Sequence, residues 1–346
     1  MGKRRVRSLL PSKVLVMQMR EHQFEEKSFM PINRAYNSTF YPNRLSLGLV
    51  VPLENYSTSA EPGMTRHIER VQLAEALGFS AVWLRDVPFN VPTFGDAGQV
   101  YDPFVYLGVL AAQTKSIALG VASIVLPLRH PAHVAKAAAS VDVLSNGRLI
   151  LGVASGDRPE EYPALNMSFD DRGERFQASF EYINRMWEDA PSFENDYGHP
   201  YGGMDLLPKP TAGKIPLLIT GGSQQSPEWI AQNGEGWITY PRSIATQEKI
   251  INGWRGRIKE VGGPDKPAVQ SLYIDLLEDP NAEPKPIHLG FSLGANHLRA
   301  YLKSIEEIGI NHVALNLRFN QADIETTLKR LADEVLPDFA TSNSVE

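Results

Sequence analysis

The chain has 346 residues, 42% of them hydrophobic, a formal charge of −6 and no cysteine. That length suits one large α/β barrel, the scattered Lys and Arg exclude a concentrated nucleic-acid footprint, and the apolar runs fall short of the roughly 18 residues of a membrane span. Without cysteine there can be no disulfide, thiolate metal site or Cys nucleophile, and a reducing, cytoplasmic setting is expected.

Residues 1–43 precede any regular pattern. Lys3, Arg4, Arg5, Arg7, Lys13 and Arg20 make this start basic, yet Pro11, Ser12 and Lys13 interrupt any apolar signal segment. A flexible basic extension is the expectation, in preference to a targeting peptide. From residue 44 one joint recurs: an amphipathic segment, a glycine, then a short apolar run. Examples are "AEALGFSAVWLRD" (74–86), "DVLSNGRLILGVASG" (142–156), "AQNGEGWITYPR" (231–242) and "IEEIGINHVALNLRF" (305–319). A glycine that ends a helix in the left-handed conformation, followed by a strand buried on both faces, explains each.

Such runs predict strands over 46–52, 81–86, 118–126, 148–154, 216–220, 236–240, 268–276 and 312–317, with helices between them. Strict alternation with eight strands predicts an α/β fold, a (β/α)8 TIM barrel over 44–338 with a short tail, 339–346. A doubly wound open sheet is the alternative. Insertions follow strands four and seven: 155–215, with a helix over 172–189, and 277–293, "LEDPNAEPKPIHLGFSL", which reads as a mobile flap. Both fall on the carboxyl-end face, where barrels carry their sites.

Three stretches at predicted strand ends carry candidate chemistry. In "ITGGSQQSPEW" (219–229), Ser226 is a natural helix cap with Pro227 in the first turn. Capping does not explain Gly221, Gly222 and Ser223, whose bare backbone and hydroxyl suit a phosphate. In "LPLRHP" (126–131), Arg129 and His130 lead into a helix; His130 is read either as a helix-start residue or as catalytic. His130 and His133 lack a third ligand at metal spacing, so no metal is expected. After strand four come Ser155, Gly156, Asp157 and Arg158, with Arg158 free to meet a phosphate or to pair with Glu160 or Glu161.

"LPLRHP", then "SNGRLILGVASG", then "PLLITGGSQQSPEWIAQNGEGWI" resembles the luciferase-like monooxygenase superfamily of flavin-dependent barrels, over about residues 44–337. The resemblance implies an FMN ring at the carboxyl-end mouth, above a cis peptide that falls on Ala122–Ser123. It places the phosphate at Gly222, Ser223 and Ser226, next to Gly221, with Ser155 and Gly156. Two departures matter. True luciferases have an arginine where Ser155 stands and a cysteine where Ala154 stands, so Arg158 or Arg242 is expected to balance the phosphate. Many members follow the acidic residue matched by Asp86 with histidines, replaced here by Val87 and Pro88; Asp86 is read either as a contact to the ring edge or substrate or as a strand-end carboxylate paired with Arg85 or Arg129.

The implied activity is an FMN-dependent monooxygenase that uses reduced flavin and O2 on a small organic substrate, with Asp86, Arg129 and His130 near the reacting edge. No G-x-G-x-x-G fingerprint marks a nicotinamide site, so a separate flavin reductase is expected, and the resemblance adds a homodimer. Three alternatives stay open: an oxidoreductase using coenzyme F420, a non-catalytic flavin-binding barrel, and a barrel hydrolase. The hydrolase lacks paired carboxylates at strand ends, since Asp275 and Glu278 have no evident partner.

Overall fold

The computed structural model describes residues 28–339. The basic start, 1–27, and the end, 340–346, lie outside the described residues. Eight parallel strands close a barrel: β1 (Ser46–Val50), β2 (Ala81–Leu84), β3 (Ala118–Val125), β4 (Leu149–Ala154), β5 (Leu217–Thr220), β6 (Gly236–Thr239), β7 (Ala268–Leu276) and, last in the chain, β10 (His312–Asn316). Closure is explicit in the register. β10 pairs with β7 (His312 opposite Val269) and with β1 (Ser46 opposite His312). The predicted barrel is the observed fold, and all the strands fall where the apolar runs placed them.

Strand alternation sorts the apolar side chains into two cores. Val82, Leu84, Leu119, Val121 and Leu151 face the helices, whereas Ala81, Trp83, Ala118, Ile150 and Leu218 point into the barrel. The interior is narrow. A Cβ on Gly120 would lie 2.4 Å from the Trp83 ring, so glycine makes room for the indole.

The described part of the leading extension closes the bottom of the barrel. Helix α1 (Arg34–Thr39) is capped by Asn33, whose Oδ1 accepts from Tyr36 N–H at 3.0 Å. The Asn33 amide in turn donates to Leu149 O at 2.7 Å and to Asp142 Oδ1 at 3.1 Å. Phe29, Tyr36 and Phe40 thereby join the interior core.

Two expectations are corrected. The glycine joint holds at Gly78, Gly147 and Gly309, with φ of +89°, +76° and +95°, but Gly234 has φ −73°. Gly234 is small for a different reason: a Cβ there would meet Ile219 at 3.0 Å. The second concerns 277–293, whose second half is a built hairpin. Strand β8 (Lys285–Ile287) pairs antiparallel with β9 (Gly290–Leu293), and β9 runs parallel to the upper half of β7, with Gly290 opposite Tyr273. A Cβ on Gly290 would sit 1.7 Å from Tyr273 O, so only glycine allows this pairing. Asp275 ties the hairpin down, accepting from Ser292 Oγ at 2.8 Å and Gln321 N at 2.9 Å. The carboxylate left without a partner in the sequence is therefore a structural clamp.

Below the mouth a directional chain of hydrogen bonds crosses the interior. Trp83 Nε1 donates to His312 Nε2 at 2.8 Å. That nitrogen must be bare, so Nδ1 carries the proton and donates to Ser46 Oγ at 2.7 Å; Ser46 donates onward to Thr39 O at 2.6 Å. Burial pushes His312 down to about 3. An unfolded histidine titrates near about 6.5, so the unfolded chain binds the extra proton between these values. The stabilising contribution of neutral His312 is complete above about 6.5 and is lost as pH falls toward about 3. Urea unfolding of wild type and His312→Gln across this range checks it. The substitution should cost about 1–3 kcal/mol at neutral pH and flatten the acid-side decline; superimposable pH profiles would assign that decline to other groups.

Candidate active site

The carboxyl ends of the strands surround a cavity of about 610 Å³. Its floor is apolar, formed by Val50, Trp83, Ile238, Val269 and Ala314. Of the site residues expected from the sequence, Asp86, Ala122, Ser123, Ser155, Gly156, Arg158, Gly221, Gly222 and Ser223 line it. The Ala122–Ser123 peptide is cis. Ser123 Oγ meets Thr220 Oγ1 and so joins the ends of β3 and β5.

The turn after β5 is shaped by positive φ at Gly221 (+57°), Ser223 (+42°) and Gln224 (+59°). Its outer contacts are filled. Gly221 N donates to Ile238 O at 2.8 Å, Trp237 Nε1 donates to Gly221 O at 2.8 Å, and Ser223 Oγ donates to Thr220 O at 2.8 Å. Among the described residues, by contrast, no acceptor takes the N–H of Gly222, Ser223 or Gln224. A Cβ on Gly222 would meet nothing within 4 Å. Consecutive free N–H groups in such a turn form a concave anion nest. With the apolar floor of the same cavity, this arrangement fits a cofactor that joins an apolar ring to a phosphate. Ser226 stands apart from the cavity lining: it caps helix α7 (Pro227–Asn233), its Oγ accepting from Trp229 N at 3.1 Å.

Strand parity explains the β2 end. Arg85 continues the inward face of Trp83, and Asp86 the outward face of Leu84. Asp86 accordingly accepts a two-point contact from Arg129 (Nε to Oδ2 2.8 Å, Nη2 to Oδ1 2.7 Å) and a bond from Val125 N at 3.2 Å. Arg129 Nη2 also reaches Asp102 Oδ2 at 2.7 Å. Neither Arg129 nor His130 lines the cavity. His130 caps helix α4 (Pro131–Leu144), its Nδ1 accepting from Ala132 N at 3.2 Å, with the Tyr182 and Tyr197 rings edge-on. Burial and then His133 hold its pKa below the ordinary imidazole value. Arg242 bonds Thr239 Oγ1 and Tyr240 O, also away from the lining.

Sequence reasoning missed a charged cluster on the rim. Asp96 takes Arg85 at 2.9 Å through both oxygens and Arg318 Nη1 at 2.7 Å. Burial alone would raise Asp96; hydrogen bonds and charge from Arg85, with Gly98 N–H and Arg318, outweigh it and hold the carboxyl below its usual range. The available signal was the β2 parity that turns Arg85 inward. Tyr273 and His288, in ring contact, complete this side, with His288 supplied by the hairpin.

Comparison with known proteins agrees with this geometry. The sequence profile of the luciferase-like monooxygenase family matches residues 45–283. The oxygenase component of a flavin-dependent trigonelline monooxygenase from Acinetobacter baylyi is 26% identical over 258 residues, 71% of this chain and 68% of that protein. An F420-dependent hydroxymycolic acid dehydrogenase from Mycobacterium tuberculosis is 27% identical over 254 residues, 67% of each. The crystal structure of monooxygenase RslO1 from Streptomyces bottropensis superposes with a TM-score of 0.72 at 21% identity, covering 85% of this chain and all of that one, a likeness of fold. The family thus contains enzymes that work with a flavin and enzymes that work with coenzyme F420. The closed barrel and the matched profile lead to one statement: this chain belongs to the luciferase-like monooxygenase family.

Proposed function

We propose that the protein is an FMN-dependent monooxygenase acting on a small organic substrate. The observation that carries this reading is the unfilled N–H nest of Gly222, Ser223 and Gln224 beside an apolar floor. The nest would hold the phosphate, aided by the Ser155–Gly156 end of β4. Trp83, Ala122 and Ala314 would offer the ring a flat apolar bed. Bound reduced FMN supplies the electrons that activate O2. The chain's tasks are to exclude water and to fix the geometry.

His288 and Leu289, held by the clamped hairpin, would shield one side of the mouth. Asp86 and Arg129, with His130 at the helix start behind them, would position the β2 and β3 ends against the reacting edge. The trigonelline relative is an oxygenase component, which supports a separate reductase. A homodimer in the cytoplasm belongs to the same proposal; no helix among the described residues is long and apolar enough to cross a membrane.

The second reading is hydride transfer with coenzyme F420, favoured by the F420-dependent relative. Spectra of the protein reconstituted with each cofactor separate the two. Retention of FMN, with O2 consumed when a reductase and substrate are supplied, is the expected result; retention of F420 alone would select the rival.

Ser223→Asp should weaken FMN binding tenfold or more, roughly 1.4 kcal/mol, in a fluorescence titration; unchanged affinity would move the phosphate elsewhere. Asp86→Asn leaves Arg129 without its buried partner and should lower unfolding stability by about 2–3 kcal/mol, measured by denaturant titration, while FMN affinity changes less than in Ser223→Asp.

A further inference from the structure

Resting on the reading of this cavity as the active site, one further group emerges at its wall. Helix α5 (Glu161–Ala164) is a single turn after β4, clipped back by Tyr162, whose hydroxyl donates to Ser155 O. Glu161, its first residue, is only 2% exposed and lines the cavity. Its buried Oε1 accepts no hydrogen bond from any described residue, and the ion pair recorded for it among them is the long one to Arg158 Nη1 at 3.8 Å. Arg158 cannot close that gap freely. Its Nη2 donates to Asp96 O at 3.1 Å, and its guanidinium lies over the Phe94 ring at 4.0 Å, while Nη1 donates to no described residue.

A buried structural ion pair would shorten to bonding distance, because an unsatisfied buried carboxyl is costly. The other carboxylates here are either satisfied or exposed. Asp86 is held by Arg129, Asp96 by Arg85 and Arg318, and Asp157 faces solvent. We infer that Glu161 is the proton-exchanging carboxyl of the cavity, giving its proton to an oxygen or nitrogen atom of the bound ligand and taking one back. The proton leaves Glu161 as the new O–H or N–H bond forms on the ligand; Arg158 stabilises the carboxylate left behind, and solvent restores the proton afterwards. With Val87 and Pro88 at the β2 end, no described residue there duplicates this role.

The electrostatic setting agrees. Burial pushes Glu161 up to about 7, Arg158 opposes it, and Asp86 just after β2 with Asp157 and Glu160 from its own loop add to the rise. Arg85 and Asp96 act on Arg158 from the facing loop.

Infrared difference spectra of the whole protein test this, with FMN as the probe. Wild type should show a carboxylic acid band that vanishes as pH rises through about 7, and Glu161→Gln should lack it. FMN should shift that midpoint upward by about one pH unit as water leaves the cavity. Proton uptake on FMN binding near neutrality should follow in wild type and be absent in E161Q. Arg158→Gln, which keeps the carboxyl, should also move the midpoint upward and serves if E161Q fails to fold. FMN that binds without moving the midpoint, or a Glu161 band confined to the ordinary carboxylate range, overturns the inference and leaves the flavin reading standing. Failure of both FMN and coenzyme F420 to bind overturns that reading and this inference with it.

Discussion

The turn that ends β5 is held from outside and open on the inside. Ile238 O, Trp237 Nε1 and Thr220 O take up its outward groups, which fixes positive φ at Gly221, Ser223 and Gln224. The same conformation leaves three successive N–H groups without acceptors at the cavity wall. Ser223 is buried, whereas Gly222 and Gln224 face the open side of the cavity, where a ligand can reach their donors. Consecutive donors in such a turn suit an anion with several acceptor oxygens.

Around that turn the rim is electrically arranged so that most carboxylates are spent. Asp86 and Asp96 hold arginines in two-point contacts that tie β2, the α4 start and the last barrel loop together. Asp275 fastens the hairpin. These groups keep the mouth rigid. Glu161 differs, since its turn is fixed while its carboxyl is not, and this combination suits a group that changes protonation with the ligand. Rigidity elsewhere makes such a change local.

Much of the fold was legible because burial on both faces writes each barrel strand as a short apolar run, and the helix between consecutive runs enforces parallel order. The hairpin was not legible. "KPIHLGFSL" is short and begins beside prolines, and its pairing with β7 depends on Gly290 approaching Tyr273 O, a contact with no local signature. The phosphate-like turn was visible as Gly-Gly-Ser after a strand. Polar partners were harder. Pairing of Asp86 with Arg85 or Arg129 was one expectation, and parity selects Arg129; that Arg85 turns inward to Asp96 had no local sign. Glu161 looked like one of two interchangeable acids beside Arg158; only the three-dimensional turn separates a buried Glu161 from an exposed Glu160.

Paired titrations with FMN and with riboflavin, which shares the ring but lacks the phosphate, test the central claim most directly. If the open turn after β5 grips the phosphate, FMN binds at least tenfold more tightly, about 1.4 kcal/mol or more. Equal affinities for the two would contradict a phosphate held by Gly222, Ser223 and Gln224.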